Sequence, residues 1–175
     1  KAMQELGMQG GVFSIQVTPD STTTFLPQGT DHVEFMVSAN PGQPLKPLTK
    51  VASGGELSRI SLAIQIIAAQ KLTLPALIFD EVDTGIGGGI AEVVGTQLRA
   101  LSHNRQVLCV THLPQVASQA HQHYLISKSK EKASTSTNIR QLSHPDRVKE
   151  IARMIGGIEI TEATSALAEE MLHKE

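Results

Sequence analysis

Two rhythms divide this chain of 175 residues. Near its start Phe13, Ile15 and Val17 alternate with Val12, Ser14 and Gln16, the period of two expected of a strand with one buried face. Val33, Phe35 and Val37 repeat the pattern and predict a second strand, antiparallel to the first. Residues 19–31, rich in Thr, Pro and Gly, read as a loop. Residues 40–49, with Pro41, Pro44 and Pro47, read as an extended connection. Residues 1–9 read as the tail of a helix that stops at Gly10-Gly11. The period then changes. Leu57, Ile60, Ile64 and Ile67 recur at helical spacing and predict a helix over 54–72. Leu62 and Ile66 widen its apolar arc enough to predict burial on more than one side.

Pro75 ends that segment, and residues 76–79 are wholly apolar, as in a central parallel strand covered on both faces. A glycine-rich loop at 85–89 and a helix at 90–102 follow. A second buried strand at 107–110 ends in Thr111-His112, before a short helix at 113–120. Short edge strands at 124–126 and 139–142 flank residues 127–138, a Lys/Ser/Thr-rich stretch read as a solvated turn. Helices at 146–155, closed by Gly156-Gly157, and at 162–173 complete the pattern. Strand, helix and strand in succession from 76 onward predict an α/β layer, a parallel-rich sheet flanked by helices with antiparallel edge strands.

Composition narrows the possibilities. Apolar residues make up 40% of the chain and suffice for one domain's core, and with aromatics at 3% that core is aliphatic. A formal charge of −2 excludes a generally basic, nucleic-acid-coating surface. Lys128, Lys130 and Lys132 form a small basic run, read as a solvated hairpin tip with a phosphate contact as the alternative. The single cysteine, Cys109, allows no internal disulfide and suits a reducing cytoplasm. No apolar run approaches the ~20 residues of a membrane span, and no signal peptide is visible. A chain opening on Lys1 rather than Met reads as a piece of something longer.

Three places carry candidate chemistry. Ser53-Gly54-Gly55-Glu56 precedes the long helix. Ser-x-x-Glu alone is a capping box. Two glycines in a first turn, each costing about 1 kcal/mol relative to Ala, make sense where something approaches the backbone closely. A phosphate on the exposed amides of a helix start is such a thing. Asp80-Glu81 ends an apolar strand, and the carboxyl ends of parallel strands line the ligand crevice of an α/β sheet. Asp80 there can hold Mg²⁺ through water, and Glu81 can take a proton from an attacking water; a polar strand end before a turn is the plainer reading. Thr111-His112 ends the neighbouring strand, so His112 can reach a phosphate or orient a water. Zinc is disfavoured: Cys109 sits in an apolar strand with no second cysteine to pair with it and His112, His121 or His123. His32, His103, His144 and His173 read as surface residues. No GxxxxGK[ST] phosphate loop occurs anywhere in the chain.

Together, Ser53 to Arg59 resembles the signature motif of ABC-type ATPases in its SGGE form, and residues 76–81 resemble a Walker B strand with its catalytic Glu. Asp83 falls at the D-loop and His112 at the switch histidine. The runs NPGQPLKPLTKVASGGELSR, PALIFDEVDTGIGG and VLCVTHLPQVA are similar to a bacterial family of double-strand-break repair proteins in the SMC-like branch, a likeness that extends over residues 1–173. The glycines at 87–89 depart from the variety expected there.

That resemblance implies a head split along the chain, its phosphate loop supplied by an N-terminal part beyond a coiled coil. Residues 1–9 would be the returning end of the coiled coil and residues 10–175 the C-terminal lobe. It implies ATP and Mg²⁺ as ligands, with Asp80 on the metal through water and Glu81 and His112 catalytic. Ser53, Gly54, Gly55, Glu56 and Asp83 would be nucleotide-binding, the signature residues reaching the γ-phosphate held by the opposite head. The implied partners are the N-terminal half, a second head in a homodimer, and DNA, with no membrane, in the cytoplasm at the nucleoid. Alone, the piece is expected to be inactive. The alternatives are a head fragment of another SMC-like ATPase and a non-catalytic dimerisation module; a nucleic-acid-binding module without ATPase activity would need a basic face.

Overall fold

A computed structural model describes residues 2–20, 27, 29–51, 54–80, 83–131, 134–157 and 159–173. The chain forms two compact units, Lys1–Thr73 with Thr84–Ile86, and Leu74–Asp83 with Gly87–Glu175.

The first unit opens on a single helical turn, α1 (Ala2–Glu5). It stops at Gly7, earlier than the expected Gly10-Gly11, because Gly7 takes φ +77°. The Met8 amide then bonds the Met3 carbonyl at 3.0 Å and the Gly7 amide bonds that of Gln4 at 3.1 Å. Met3 and Met8 are both buried, the apolar contact that accompanies this kind of helix end. Strands β1 (Val12–Pro19) and β2 (Asp31–Ser38) pair antiparallel as predicted, Ile15 opposite Phe35 and Val17 opposite Val33. The loop expected over 40–49 holds one further short strand, β3 (Lys46–Pro47), on the edge of β2, where a proline is tolerated.

Helix α2 (Gly54–Lys71) buries Ile60, Leu62, Ala63, Ile66 and Ala69, while Leu57 and Ile67 are exposed. The predicted line through Leu57, Ile60, Ile64 and Ile67 is therefore displaced. Burial centres on Ile60 and on Leu62 and Ile66, the residues expected to widen the arc, and extends to Ala63 and Ala69, which a count of large apolar residues passes over; α1 packs on this helix.

In the second unit β4 (Ala76–Asp80) and β5 (Gln106–Val110) pair in parallel. The connecting helix α3 (Gly88–Leu101) buries Ala91, Val94, Leu98 and Leu101 and packs on β5. The expectation of strands covered on both faces is corrected here. Phe79 is buried, yet Ile78 is 73% exposed, and Leu108 and Val110 are exposed beside it. Register puts Ile78 opposite Leu108 and Asp80 opposite Val110, so these apolar side chains share one open sheet face.

Helix α4 (Pro114–Ala117) lies against α3 at Gly95, where an added Cβ would meet the Gln115 carbonyl oxygen at 2.9 Å. The presumed turn over 127–138 is instead most of a ribbon, β6 (Tyr124–Glu131) and β7 (Ser134–Gln141). Ser129 and Ser136 are exposed, with their hydroxyls 2.6 Å apart across the strands. Helices α5 (His144–Gly156) and α6 (Glu162–His173) close the unit over a core of Ala117, Ile151, Ala152 and Ala168. The Arg147 guanidinium donates to the carbonyls of Ala120 at 2.6 Å, and of Ser118 and His121 at 3.4 Å, tying α5 to the chain beyond α4.

Candidate nucleotide site

Parallel pairing decides where the acids stand. Asp80 opposite Val110 puts the carboxyl ends of β4 and β5 at one rim, so Asp80 and Thr111-His112 leave the sheet on the same side. Asp80 is exposed. Asp83, three residues on, is only 1% exposed. Its Oδ2 accepts from the Thr111 hydroxyl and from the His112 amide, the latter at 3.1 Å. Its Oδ1 lies 3.4 Å from His112 Nδ1 and accepts no hydrogen bond among the described residues. Thr111 Oγ in turn accepts the Leu113 amide at 3.0 Å, so one side chain ties together the loops that follow the two strands. The His112 side chain is 69% exposed beyond this bracket.

Cys109 lies just upstream. Burial, then the charges of Asp83 and Asp80, push its thiol up to about 11. It stays neutral at physiological pH, unsuited to metal or nucleophile chemistry. His123 is held below the ordinary histidine value by burial and then by Arg147, with Glu150 opposing.

The other cluster begins α2, in the first unit. Gly54, Gly55 and Glu56 form its first turn, and Ser58 Oγ donates to the Gly54 carbonyl at 3.0 Å. Around Gly54 nothing lies within 4 Å of where a Cβ would stand. Gly85, at φ +76°, places its own such point 3.4 Å from Gly55 Cα. That separation is ordinary van der Waals contact, so what favours glycine at 85 is its positive φ, while Gly54 faces open space among the described residues. Ser53 and Glu81, both expected to act in the site, lie outside the described residues. The role of Thr111 was not legible in the sequence; a hydroxyl at a strand end beside an acidic loop is a weak signal.

No family model matches the chain. The DNA repair protein RecN of Vibrio cholerae is 53% identical over 172 residues, covering 98% of this chain and 31% of that protein. RecN of Xylella fastidiosa (strain 9a5c) is 50% identical over 172 residues, again 98% of this chain and 31% of the relative. RecN of Bacillus subtilis (strain 168) is 48% identical over 145 residues, 83% of this chain and 25% of the relative. The chain is a RecN-like segment. It spans about a third of the curated RecN relatives it matches most fully.

Solved structures give the RecN-like chain its fold. The Smc head domain with a coiled coil and joint from Pyrococcus yayanosii aligns at TM-score 0.64 and 18% identity, over 86% of this chain and 27% of that one. The Pyrococcus furiosus Smc head bound to the C-terminal domain of ScpA aligns at 0.61 and 18%, over 88% and 36%. A chain from work on ATP-driven dimerisation and DNA-stimulated activation of SMC ATPases aligns at 0.59 and 16%, over 90% of this chain and 89% of that one. The fold is that of an SMC head, and the last chain is nearly coextensive with the RecN-like segment.

Proposed function

We propose that this chain is the C-terminal lobe of the ATP-hydrolysing head of a RecN-type DNA repair protein, completed by the rest of that polypeptide. The observation that carries the reading is the shared rim of β4 and β5, from which an exposed carboxylate and an exposed imidazole emerge together. Asp80 suits a hydrated magnesium ion, which retains waters and takes its other ligands from phosphate oxygens, so one protein carboxylate is enough. Magnesium, when bound, neutralises charge on the phosphates. Glu81, adjacent to Asp80 in sequence, accepts the proton of the attacking water. His112 contributes a ring nitrogen to the terminal phosphate and the water. Ser53, Gly54, Gly55 and Glu56 offer a hydroxyl and helix-start amides to the phosphate held by a second head, so that two ATPs join two heads.

The open face of Ile78, Leu108 and Val110 supports the same reading, because both faces of a parallel sheet are normally covered by helices and the cover for this one would come from the remainder of the head. DNA belongs to the complete protein in this view, since the charge of this segment does not call for it.

Co-production of this chain with the N-terminal remainder tests the proposal. Magnesium-dependent ATP hydrolysis is expected from the assembled pair, measured with and without DNA, and none from this chain alone. Steady turnover by the isolated chain would overturn the half-site reading. In the assembled protein Glu81→Gln is expected to trap ATP-bound dimers, visible by size-exclusion chromatography; unimpaired hydrolysis would remove Glu81 as the base.

A further inference from the structure

The summed charge of the chain calls for no nucleic acid, but that charge is unevenly placed. Residues 124–141, the β6–β7 ribbon with its tip, carry Lys128, Lys130, Lys132 and Arg140 against Glu131 alone, a net charge of +3, and the rest of the chain stands at −5. A local excess of cations matters to a polyanion even where the total is negative.

Strand register sorts these charges further. Lys128 and Lys130 stand opposite Thr137 and Thr135, and alternation puts all four positions on one face of the ribbon. Glu131, opposite Ser134, belongs to the other face. So does Arg140, whose guanidinium is already engaged, donating to Asp146 at 2.9 Å. Lys128 and Thr137 are exposed, and among the described residues Lys128 has no carboxylate partner.

The ribbon also changes character along its length. Its base exposes Tyr124, Ile126 and Ile139. Residues 127–138 beyond hold no apolar residue except Ala133. A protein partner docks by burying apolar anchors, and a membrane surface takes them up; this outer half offers a row of ammonium groups and hydroxyls instead. Those are the groups that contact the sugar–phosphate backbone of nucleic acid without reading its sequence. Shape agrees, because the major groove of B-form DNA is about 12 Å wide and admits a two-stranded ribbon, whereas that of A-form RNA is too narrow.

We propose that the outer half of the β6–β7 ribbon is a sequence-independent binding arm for duplex DNA, with the row through Lys128, Thr137 and Lys130 as its phosphate-contacting face. The inference goes beyond the head reading and does not need it, since it assigns to this chain a contact of its own.

The test titrates the chain itself into a short fluorescein-labelled DNA duplex, read by anisotropy over a range of salt concentrations. Binding with Kd of about 10⁻⁴–10⁻⁶ M at physiological salt is expected, the range of non-specific association. Log affinity should fall linearly with log salt. Lys128→Gln should reduce that slope by about 0.9, the loss of one phosphate contact, and Lys128→Arg should keep it. Gln at 128, 130 and 132 together should weaken binding by about tenfold or more. The paired change Lys128→Ser with Ser129→Lys keeps the charge but moves it to the other face, and should cost as much as Lys128→Gln. Both positions are exposed, so melting temperatures should match wild type. Two duplexes of unrelated sequence should bind alike.

No binding by the wild-type chain, or a slope indifferent to Lys128→Gln and to the triple change, would overturn the proposal. Full binding by the paired variant would overturn the assigned face. Competition by polyglutamate or by phosphatidylglycerol vesicles as strong as that of unlabelled duplex would overturn it in favour of an acidic protein or a membrane surface. In the assembled protein the triple change should weaken duplex binding and leave ATP hydrolysis measured without DNA unchanged. An assembled wild type that binds duplex through these lysines but hydrolyses nothing would support the arm while overturning the head reading.

Discussion

At the scale of single residues, the glycines separate two kinds of constraint. Gly85 is held by its backbone: φ +76° costs an L side chain roughly 1–2 kcal/mol, so Gly85→Ala should lower the melting temperature by that equivalent. Gly54 shows neither a positive φ nor, among the described residues, a neighbour within 4 Å of where a Cβ would stand. Gly54→Ala should therefore leave thermal stability unchanged or raise it by up to about 1 kcal/mol, through helix propensity. If Gly54 meets a phosphate as proposed, the same change in the assembled protein should abolish ATP turnover, because the new methyl group would stand in the way of that phosphate. Stability and activity moving in opposite directions is the signature to look for. A variant both stable and fully active would leave the glycine without a ligand. The glycine pair and the acid pair were legible in the sequence, but not the positive φ of Gly85, which is a property of the folded loop.

At the scale of elements, strands with strict alternation were legible, as was helix α5 with its end at Gly156-Gly157, since those signals are local; its cap at Ser143, ahead of the expected start at 146, was not read. Ser143 accepts the Asp146 amide at 3.4 Å, and Gly157 closes α5 at φ +78°. The length of the ribbon was underestimated because its Ser and Thr residues read as turn formers, whereas they continue the antiparallel pairing, Ser129 meeting Ser136 across the strands. On α2 the burial of Ile60, Leu62 and Ile66 was legible, whereas Leu57 and Ile67 turned out exposed and Ala63 and Ala69 joined the buried face. Close packing of α3 and α4 at Gly95 was also invisible in the sequence. Gly95→Ala should destabilise the second unit by about 1–3 kcal/mol in urea unfolding, since the obstacle includes a backbone oxygen.

His123 adds a pH dependence to the same unit. Its folded value lies below the ordinary 6.5, so the fold prefers the neutral ring. That contribution is complete above the unfolded value and is lost as pH falls through the folded one. The melting temperature should drop between pH 7.5 and 5, and His123→Gln should flatten that drop.

At the scale of the whole molecule, exposed apolar surface is the dominant fact. Ile78, Leu108 and Val110 are open on one sheet, and Ile15, Val17, Val33 and Phe35 on another. Surface of this kind is expected to be covered in a functional assembly and to promote association when it is not. Ile78→Asp should make the isolated chain more soluble while preventing capture by the N-terminal remainder, read by co-purification; undiminished capture would show that the remainder binds elsewhere. None of this openness was legible in the sequence, because an apolar strand looks alike whether its second cover comes from its own segment or from another.

The Cys109 thiol offers a practical handle on that assembly. A thiol near 11 carries a thiolate fraction on the order of 10²-fold smaller than an ordinary cysteine. Maleimide dyes should therefore pass over the native sulfur and mark an introduced cysteine at Lys128, exposed on the ribbon. Donor and acceptor fluorophores can then report the meeting of two copies without a cysteine-free background being built first.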